Sequence, residues 1–298
     1  MTAELDTTAS PLVIGAGSDS CELLPWLGGS IGAWNVGDQQ MLRRARIADV
    51  TRRNPFGMGA FPLVPFSNRI GDARFSWAGK SIRLQRNFLP EPHAIHGVGF
   101  ERPWRIAASD RESAELVLEH AGDSSWPWPF EARQRIVIGA GTLSLELRAT
   151  NRATIAVPLA FGHHPYFPKA GASLRFTASD VWLVGPEGLP TRAVRPSAEF
   201  DFSIPAPVTA RSIDNCYSGW DGQAAIAWSH QPRWLEIRAS RELPCAVVYV
   251  RDEETGFCFE PVPHLNNSLN LPSAAPAIPV IAPGDSYAAT IRFHAIRK

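Results

Sequence analysis

A histidine in the middle of the chain has the surroundings of a group that could exchange protons with a small molecule. In residues 161–167 (FGHHPYF), strand alternation places Gly162, His164 and Tyr166 on one face and His163 on the other. The glycine leaves space beside the imidazole of His164, and the tyrosine offers an amphipathic wall. This pattern favours contact with a small polar ligand. The competing interpretation is a satisfied histidine at the end of a strand.

Two further polar segments lie upstream. Residues 62–70 (PLVPFSNRI) place Asn68 and Arg69 after a proline-bounded apolar run, a pattern that in isolation indicates a turn with a solvated arginine. Residues 93–100 (HAIHGVGF) hold two histidines three positions apart. That spacing suits metal ligation only on a helix, and the adjacent proline and two glycines disfavour a helix. We expect a loop with one histidine directed inward.

The elements that must position these residues are strands. The 298-residue chain contains 23 glycines and 26 prolines, and no window of a dozen residues sustains a helical apolar period. The clearest strand pattern is a hairpin of residues 135–138 and 142–148 around a glycine-rich turn. Further strands are predicted at residues 115–119, 174–177, 234–239, 245–250, 256–260 and 288–296. This spacing predicts an all-β sandwich or barrel.

Several other segments have a structural interpretation. Residues 27–32 (LGGSIG) indicate a glycine-rich strand turn, because they lack the lysine and the helix of a phosphate-binding loop. Residues 74–80 predict a hairpin, and residues 126–130 (WPWPF) predict aromatic packing under a loop. Residues 185–207, rich in proline, predict a surface excursion or a lid. Composition does not change across the chain, so we expect residues 1–298 to form one domain.

Composition restricts the classes of binding partner and the cellular compartment that we expect. The chain has 29 basic and 29 acidic residues, so it shows no electrostatic footprint for nucleic acid or an anionic membrane. No stretch approaches the roughly 18 to 20 apolar residues of a membrane span. The first residues lack the charged head of a secretory signal, and the four cysteines lack metal-ligand spacing. We expect a cytoplasmic protein with free thiols.

Five motifs, taken in chain order, resemble the aldose 1-epimerase (galactose mutarotase) family. They are Asn68-Arg69-Ile70, His96-Gly97, His164-x-Tyr166-Phe167, Asp214-Asn215 and Phe259-Glu260. The resemblance runs from about Gly28 to the last strand. It implies a large antiparallel β-sandwich of the galactose mutarotase type, with a monosaccharide bound in a cleft across one sheet face and with no cofactor.

The resemblance also implies roles for individual residues. His164 matches the histidine that acts as general acid on the ring oxygen, and Glu260 matches the glutamate that acts as base on the anomeric hydroxyl. The sugar-binding positions match Asn68, Arg69, His96 and Asp214. The residues around Glu260 agree with this, because the two phenylalanines of residues 257–260 (FCFE) share one face and leave the glutamate on the other.

These residue types suit the interconversion of α and β anomers. Ring opening removes a proton from the anomeric hydroxyl and delivers one to the ring oxygen, and closure on the other carbonyl face reverses both transfers. An acid and a base each contribute about 10²- to 10⁴-fold. A glutamate with a reference pKa near 4.3 and a histidine near 6.5 can share these tasks if the pair raises the pKa of the imidazole.

The chain departs from better-known members of the family at two places. Residues 261–270 (PVPHLNNSLN) replace a Pro-Asp-Ala-type continuation after the glutamate, and His163 stands where an asparagine is common. These departures resemble a bacterial subgroup. They leave the sugar open, including a phosphorylated or sulfonated one for which Arg43, Arg44, Arg52 or Arg53 would be candidate contacts.

Other functions fit parts of the same pattern. A non-catalytic carbohydrate-binding protein would keep the cleft but would not need both an acid and a base. A cupin-like metalloenzyme would use His96, one histidine of the 163–164 pair and Glu260, but it would normally carry a His-x-His pair. A glycosidase could use Asp214 and Glu260, although His164 would then have no role. Asp214 could also be a turn-capping residue.

Overall fold

Alternating burial along the chain explains why it forms strands. The computed structural model describes residues 10–209, 211–271 and 276–298. In the strand Thr142–Asn151, Leu143, Leu145 and Leu147 are buried while the intervening charged side chains are exposed. This strand pairs with Phe130–Gly139 through the predicted glycine turn. The hairpin predicted from the sequence is confirmed, and both of its strands are longer than the predicted segments.

The described residues form 26 strands, numbered here in chain order. They are β1 Leu12–Ala16, β2 Asp19–Leu24, β3 Ser30–Val36, β4 Gln39–Leu42, β5 Ala60–Leu63, β6 Arg69–Ile70, β7 Arg74–Trp77, β8 Lys80–Arg83, β9 Ala94–Ile95, β10 Arg105–Ser109, β11 Ser113–His120, β12 Phe130–Gly139, β13 Thr142–Asn151, β14 Val157–Pro158, β15 Gly162–Pro168, β16 Ala172–Phe176, β17 Asp180–Val184, β18 Pro190–Val194, β19 Ala206–Pro207, β20 Ile213–Ser218, β21 Gln223–Trp228, β22 Arg233–Ala239, β23 Cys245–Val250, β24 Gly256–Val262, β25 Val280–Ile281 and β26 Ser286–Arg297. All the strands predicted from the sequence are among them.

Helical structure is limited to short segments. One helix, α1, covers Ile47–Arg52, and short 3₁₀ turns cover Pro55–Gly57, Gly71–Ala73, Ala198–Phe200 and Ser268–Asn270. The sequence patterns did not predict α1, because its six residues are shorter than the window in which a helical period can be recognised. None of the helices in the described ranges has the length and apolar character that a membrane crossing requires.

Two large antiparallel sheets carry most of the strands. The first has eleven strands in the order β1-β2-β3-β5-β15-β24-β23-β20-β17-β18, with β4 paired to β3. The second has nine strands in the order β10-β11-β12-β13-β26-β22-β21-β16-β19. Three two-stranded ribbons complete the described fold: β14-β25, β6-β9 and β7-β8. The all-β antiparallel fold expected from the sequence is confirmed.

The main core lies between the two large sheets. Aromatic rings of the first sheet, such as Trp34 and Phe167, lie 6.1 Å from the ring of Phe293 in the second sheet. The ring of Trp126, from the WPWPF segment, is also fully buried and lies 5.5 Å from the ring of Phe66. The packing interpretation of that segment is therefore confirmed. The removal of this apolar surface from water is the main force that holds the sheets together.

The other face of the first sheet carries a smaller apolar cluster and the polar groups discussed below. Tyr166, Val247 and Cys258 belong to this cluster, whereas Phe161 and Phe167 belong to the core. The alternation predicted for residues 161–167 is therefore correct. Because successive side chains of a strand point to opposite faces, the sheet can bury hydrophobic residues on one side and present chemistry on the other.

The remaining segments predicted from the sequence can be compared with the structure one by one. Residues 25–29 form the expected turn, and β7 with β8 forms the expected hairpin. Residues 185–207 are less irregular than predicted, because β18 pairs with β17 as an added hairpin of the first sheet. The single-domain interpretation stays a prediction. Residues 1–9, on which part of the signal-peptide argument depends, lie outside the described residues.

Candidate active site

The two proposed proton-transfer residues lie next to each other on the outer face of the first sheet. Neighbouring strands β15 and β24 present His164 and Glu260, and Nε2 of His164 is 3.3 Å from Oε1 of Glu260. We call these two residues the acid–base pair. Both side chains are more than nine-tenths buried, at 7% and 2% exposure. Nδ1 of His164 and Oε2 of Glu260 are buried and have no hydrogen-bond partner among the described residues.

Burial sets the protonation of the pair. It lowers the pKa of His164 well below 6.5, and the nearby His96 and Arg43 add to this. Burial also raises the pKa of Glu260 well above 4.5, and Asp214 adds to that shift. The condition that the pair raises the pKa of the imidazole is therefore not met, because desolvation disfavours the charged form of each group.

Aromatic stacking fixes the orientation of the histidine. The ring centre of Phe61 lies 4.5 Å from the centre of the His164 imidazole, with an interplanar angle of 26°. The ring centre of Tyr166 lies 4.8 Å from the same imidazole, with an interplanar angle of 23°. The guanidinium of Arg43 lies 3.8 Å from the centre of the Tyr166 ring. Arg43 also donates to the backbone oxygen of Met58 at 2.9 Å. The imidazole is thereby held in one plane.

Two turns with left-handed backbone place Asn68 and His96 beside the pair. Their φ angles are 55° and 57°. The backbone N–H of Asn68 donates to Nδ1 of His96 at 3.2 Å, and the backbone N–H of His96 donates to the carbonyl of Asn68 at 2.9 Å. Since Nδ1 accepts a hydrogen bond and burial lowers the pKa of His96 to about 3, the neutral ring carries its proton on Nε2. His96 can therefore donate to a sugar oxygen.

Arg69 is held between two carboxylates. Its Nε and Nη2 donate to the two carboxylate oxygens of Glu91 at 3.0 and 2.9 Å, a bidentate pair. Its Nη1 lies 3.8 Å from Oδ2 of Asp214 and 3.4 Å from Oδ1 of Asn68. The side chain of Arg69 is 14% exposed, so the solvated-turn interpretation is wrong.

Asp214 lies within a strand and not at a turn. It belongs to β20, opposite Tyr249 of β23, so the turn-capping interpretation is wrong. Its Oδ2 lies 3.6 Å from Nη2 of Arg251 and also faces Arg69. Burial raises the pKa of Asp214, and the two arginines partly oppose that shift. The carboxylate can accept hydrogen bonds from sugar hydroxyls.

The unusual segment after Glu260 supports the Asn68–Arg69 turn. The backbone N–H of Ser67 donates to Nε2 of His264 at 3.2 Å. Oδ1 of Asn267 accepts the N–H of Gly71 at 2.9 Å, and the N–H of Asn267 donates to the carbonyl of Arg69 at 2.8 Å. The residues that replace the Pro-Asp-Ala-type continuation thus connect the strand of Glu260 to the turn that carries the binding arginine.

All six residues predicted for the site line one cavity of about 420 Å³. They are Asn68, Arg69, His96, His164, Asp214 and Glu260. Tyr166, which was predicted to form an amphipathic wall beside His164, also lines this cavity. Sequence reasoning missed the other lining residues, which are Asn54, Phe56, Phe88, Ile95, Tyr249 and Glu254. Most of them come from loops or from strands whose register the sequence does not reveal. Glu254 lies in the connection between β23 and β24, which borders the cavity.

The arginines considered as anion contacts have other partners or positions. Arg43 packs on Tyr166, and Arg44 forms an exposed ion pair with Glu22 at 2.8 Å. Arg52 and Arg53 lie at the end of α1 and are exposed. None of these four arginines lines the catalytic cavity.

The metal-centre hypothesis can be compared with the same geometry. Potential ligand atoms of His164, Cys258 and Glu260 lie within 4.8 Å of one another. Burial and the nearby Glu260 keep the pKa of the Cys258 thiol well above 9, which disfavours the thiolate that a metal would need. His163 faces away from this group, is fully buried, and has a pKa lowered to about 3 by burial. These groups therefore fit proton transfer better than metal binding.

Comparisons with known proteins agree with this arrangement. A family model described as aldose 1-epimerase matches residues 19–294. The uncharacterized protein YphB of Escherichia coli (strain K12) is 32% identical over 242 residues, which cover 76% of this chain and 80% of YphB. A crystal structure provisionally described as an aldose 1-epimerase from Escherichia coli K12 has a TM-score of 0.89 and 26% identity, covering 97% of this chain and 99% of that one.

A second crystal structure, of a galactose mutarotase-like protein from Clostridium acetobutylicum, has a TM-score of 0.86. It is 17% identical and covers 99% of this chain and 98% of that chain. At this identity the likeness concerns the fold. The two large sheets described above therefore have the arrangement of a galactose mutarotase-like protein.

Proposed function

The chain belongs to the aldose 1-epimerase family, and on that premise we propose that it is an isomerase that interconverts the α and β anomers of an aldose. The observation that carries this proposal is the acid–base pair. Nε2 of His164 and Oε1 of Glu260 are 3.3 Å apart and line a cavity of about 420 Å³ whose walls combine polar and aromatic side chains. A cavity of this size suits a small molecule.

The mechanism follows from the single proton that the pair shares. With the proton on His164, the carboxylate of Glu260 takes the proton of the anomeric hydroxyl while the imidazolium delivers its proton to the ring oxygen. The ring bond breaks, and the open-chain aldehyde rotates about the first carbon–carbon bond. On closure at the other face, Glu260 gives its proton to the carbonyl oxygen and His164 takes a proton back from the attacking hydroxyl, so both groups return to their starting states. The anomeric and ring oxygens are bonded to one carbon, so two adjacent groups can serve both.

Burial makes the charged form of the pair costly. A sugar that contacts the pair in the cavity would supply hydrogen bonds to its polar atoms. Such contacts strengthen as charge develops during ring opening, so they stabilise the transition state more than the ground state. The reaction needs no redox step and no electron sink, so we propose that it uses no cofactor.

The remaining four predicted residues are proposed to hold the sugar. His96 and Asn68 offer donors, and Asp214 offers acceptors. The guanidinium of Arg69 is largely neutralised by Glu91 and Asp214, and Glu254 adds a further carboxylate to the cavity wall. Because carboxylates outnumber arginines there, the cavity favours a neutral aldose over a phosphorylated or sulfonated one.

The test compares mutarotation rates of the purified protein and two variants by polarimetry. Glu260→Gln and His164→Gln should each lower kcat/KM by at least about a hundredfold, since each removes one proton-transfer partner. Glu253→Gln is the matched control, because it makes the same change at an exposed carboxylate of the neighbouring turn that does not line the cavity. It should stay within a few-fold of the wild type.

The same assay separates the competing functions. Substrates should include glucose, galactose, xylose and arabinose, with glucose 6-phosphate as the anionic comparison. A wild-type protein that binds these sugars but does not accelerate mutarotation would be a carbohydrate-binding protein. Wild-type rates in either the glutamine variant of Glu260 or that of His164 would remove that residue from the mechanism.

A further inference from the structure

One buried arginine outside the cavity of the acid–base pair contacts three parts of the cavity wall. Arg43 directly follows β4, and its side chain is 11% exposed. Its guanidinium carbon lies 3.8 Å from the centre of the Tyr166 ring, and its Nη1 lies 3.3 Å from Oε2 of Glu254. Its Nη2 donates to the backbone oxygens of Phe56 and Met58, at 2.9 Å for Met58. Tyr166, Glu254 and Phe56 line the cavity, so Arg43 connects three segments that form it.

The surrounding backbone makes room for this side chain and fixes its position. A Cβ on Gly256, the first residue of β24, would lie 3.1 Å from Cδ of Arg43, which is closer than an ordinary contact. The backbone N–H of Arg43 donates to the carbonyl of Tyr166 at 2.8 Å. A buried charge costs free energy even when it is paired, and an apolar side chain can often fill the same space without a loss of stability. The position of this charge therefore calls for an explanation beyond packing.

The ring of Tyr166 lies in contact with both Arg43 and the proposed general acid. Its centre is 4.8 Å from the centre of the His164 imidazole, and the two planes are 23° apart. A guanidinium over an aromatic face is attracted by the electrons of the ring, and the attraction is stronger when both groups are removed from water. Arg43 thus holds the ring against which the imidazole packs, although it does not line the cavity itself.

The charge of Arg43 also acts on the imidazole. Burial is the main cause of the lowered pKa of His164, and His96 and Arg43 add to it. A guanidinium keeps its charge over the whole pH range of an assay, whereas histidine, carboxyl, thiol and phenol groups can each change theirs. The groups of these kinds close to the imidazole are Glu260, His96, His163, Cys258 and Tyr166. Arg43 therefore supplies a constant positive charge beside groups whose charges vary.

We propose that Arg43 is a positioning residue for His164, which it orients through the ring of Tyr166 and to which it applies a fixed positive charge. The proposal rests on the proposed function for the role of His164 as the proton donor. Because Arg43 does not line the cavity, it should affect the rate of ring opening more than the binding of the sugar.

The first experiment measures kcat and KM for mutarotation by polarimetry in variants that separate charge from hydrogen bonding. Arg43→Gln keeps a donor for the carbonyl of Met58 but removes the charge, so kcat should fall about tenfold while KM stays within about threefold. Arg43→Lys keeps a positive charge and should recover most of the lost rate. The control Arg44→Gln changes the adjacent arginine, whose ion pair with Glu22 is exposed, and should match the wild type. An unchanged kcat in Arg43→Gln, or an equal loss in Arg43→Lys, would contradict the proposal.

A double variant tests whether Arg43 acts through the tyrosine ring. Tyr166→Leu removes the ring that contacts both the guanidinium and the imidazole, so it should lower kcat by itself. Adding Arg43→Gln to Tyr166→Leu should lower kcat by much less than the tenfold expected when the ring is present, because residues that act through one contact are not additive. A further tenfold loss in the double variant would show that Arg43 acts independently of Tyr166 and would overturn the proposed route.

A titration that needs no turnover separates this proposal from the proposed function. Proton–nitrogen NMR spectra report the charge of each imidazole, and the signals of His164 can be assigned from their loss in His164→Gln. As the pH is lowered, His164 should become charged at a higher pH in Arg43→Gln than in the wild type, and Arg43→Lys should behave like the wild type. This result supports the role of Arg43 even if mutarotation is absent. The same titration in the wild type and Arg43→Gln, or no titration in either, would overturn it.

Discussion

Lowering the pH from 7 to 5.5 should destabilise the protein, and His264→Gln should remove a defined part of that loss. His264 is buried beside the turn that carries Arg69, where its Nε2 accepts the N–H of Ser67 and its Nδ1 faces the carbonyl of Leu265 at 2.8 Å. Both contacts fit the neutral ring with its proton on Nδ1. Protonation of Nε2 would break the bond to Ser67 and would place a charge in a site without a carboxylate partner.

The magnitude follows from the pKa of this histidine. Burial lowers it from 6.5 to about 4, and the carbonyl of Leu265 opposes only part of that shift. Below pH 6.5 the unfolded chain takes up a proton that the folded protein does not accept until about pH 4. The free energy of unfolding is therefore unaffected by this histidine above pH 6.5, and it falls by about 1.4 kcal/mol per pH unit between pH 6.5 and about 4. Between pH 7 and 5.5 the loss from this one residue is about 1 kcal/mol.

The assay is urea unfolding, followed by tryptophan fluorescence, at both pH values. Over this interval His96 and His163, whose pKa values burial lowers to about 3, each add a loss of stability similar to that of His264, and the lowered pKa of His164 adds to the loss while the raised pKa of Glu260 opposes it. His264→Gln should lose about 1 kcal/mol less, whatever its stability at pH 7. The control His230→Gln, which replaces an exposed histidine, should match the wild type. An undiminished loss in His264→Gln would refute the reasoning.

Two further substitutions test the supports of the site. Glu91→Gln removes the bidentate partner of Arg69, so KM for the sugar should rise about tenfold while kcat stays within about threefold. Saturation curves measured by polarimetry give both constants. An unchanged KM would mean that Arg69 needs no such partner. Gly97→Ala should cost about 2 kcal/mol or more, because its Cβ would lie 2.2 Å from the carbonyl oxygen of Val64. Gly79→Ala has the same φ of 74° with open space around it, so it should cost only about 1 kcal/mol in urea unfolding, and equal losses would contradict the steric argument.

The parts of the site that follow from local alternation could be predicted from the sequence. The faces of His164 and Glu260 depend only on the residues next to them in their strands, because alternation has a period of two. The glycines and prolines around Asn68 and His96 indicate turns, although they do not show that the two turns bind each other. That mutual contact depends on one backbone–backbone hydrogen bond and on one bond from a backbone N–H to the imidazole, between residues 28 positions apart.

Features that depend on register or on depth could not be predicted. Asp214 faces the cavity because β20 pairs with β23 in a particular register, with Asp214 opposite Tyr249. Glu91 meets Arg69 only after the loop between β8 and β9 has folded back. The pKa directions of the acid–base pair depend on nearly complete burial, which a sequence pattern does not measure. For these three features the sequence either gave no expectation or gave a wrong one.

The acid–base pair lies on strands, whereas part of the proposed sugar-binding set lies on turns. This separation explains how such a site can keep one reaction while its sugar changes. His164 and Glu260 lie on adjacent strands, and the imidazole packs against Phe61 and Tyr166, so strand pairing and aromatic packing position the proposed proton donor and acceptor. Of the proposed hydroxyl contacts, Asn68 and His96 lie on turns next to Arg69 of β6, and the 264–268 segment and the Glu91 loop support this region, whereas Asp214 lies on β20. Changes in those supports can alter which hydroxyls are held without displacing the proton donor and acceptor. We therefore expect substitutions outside the sheet to change substrate preference, and substitutions beside the acid–base pair to change the rate of ring opening.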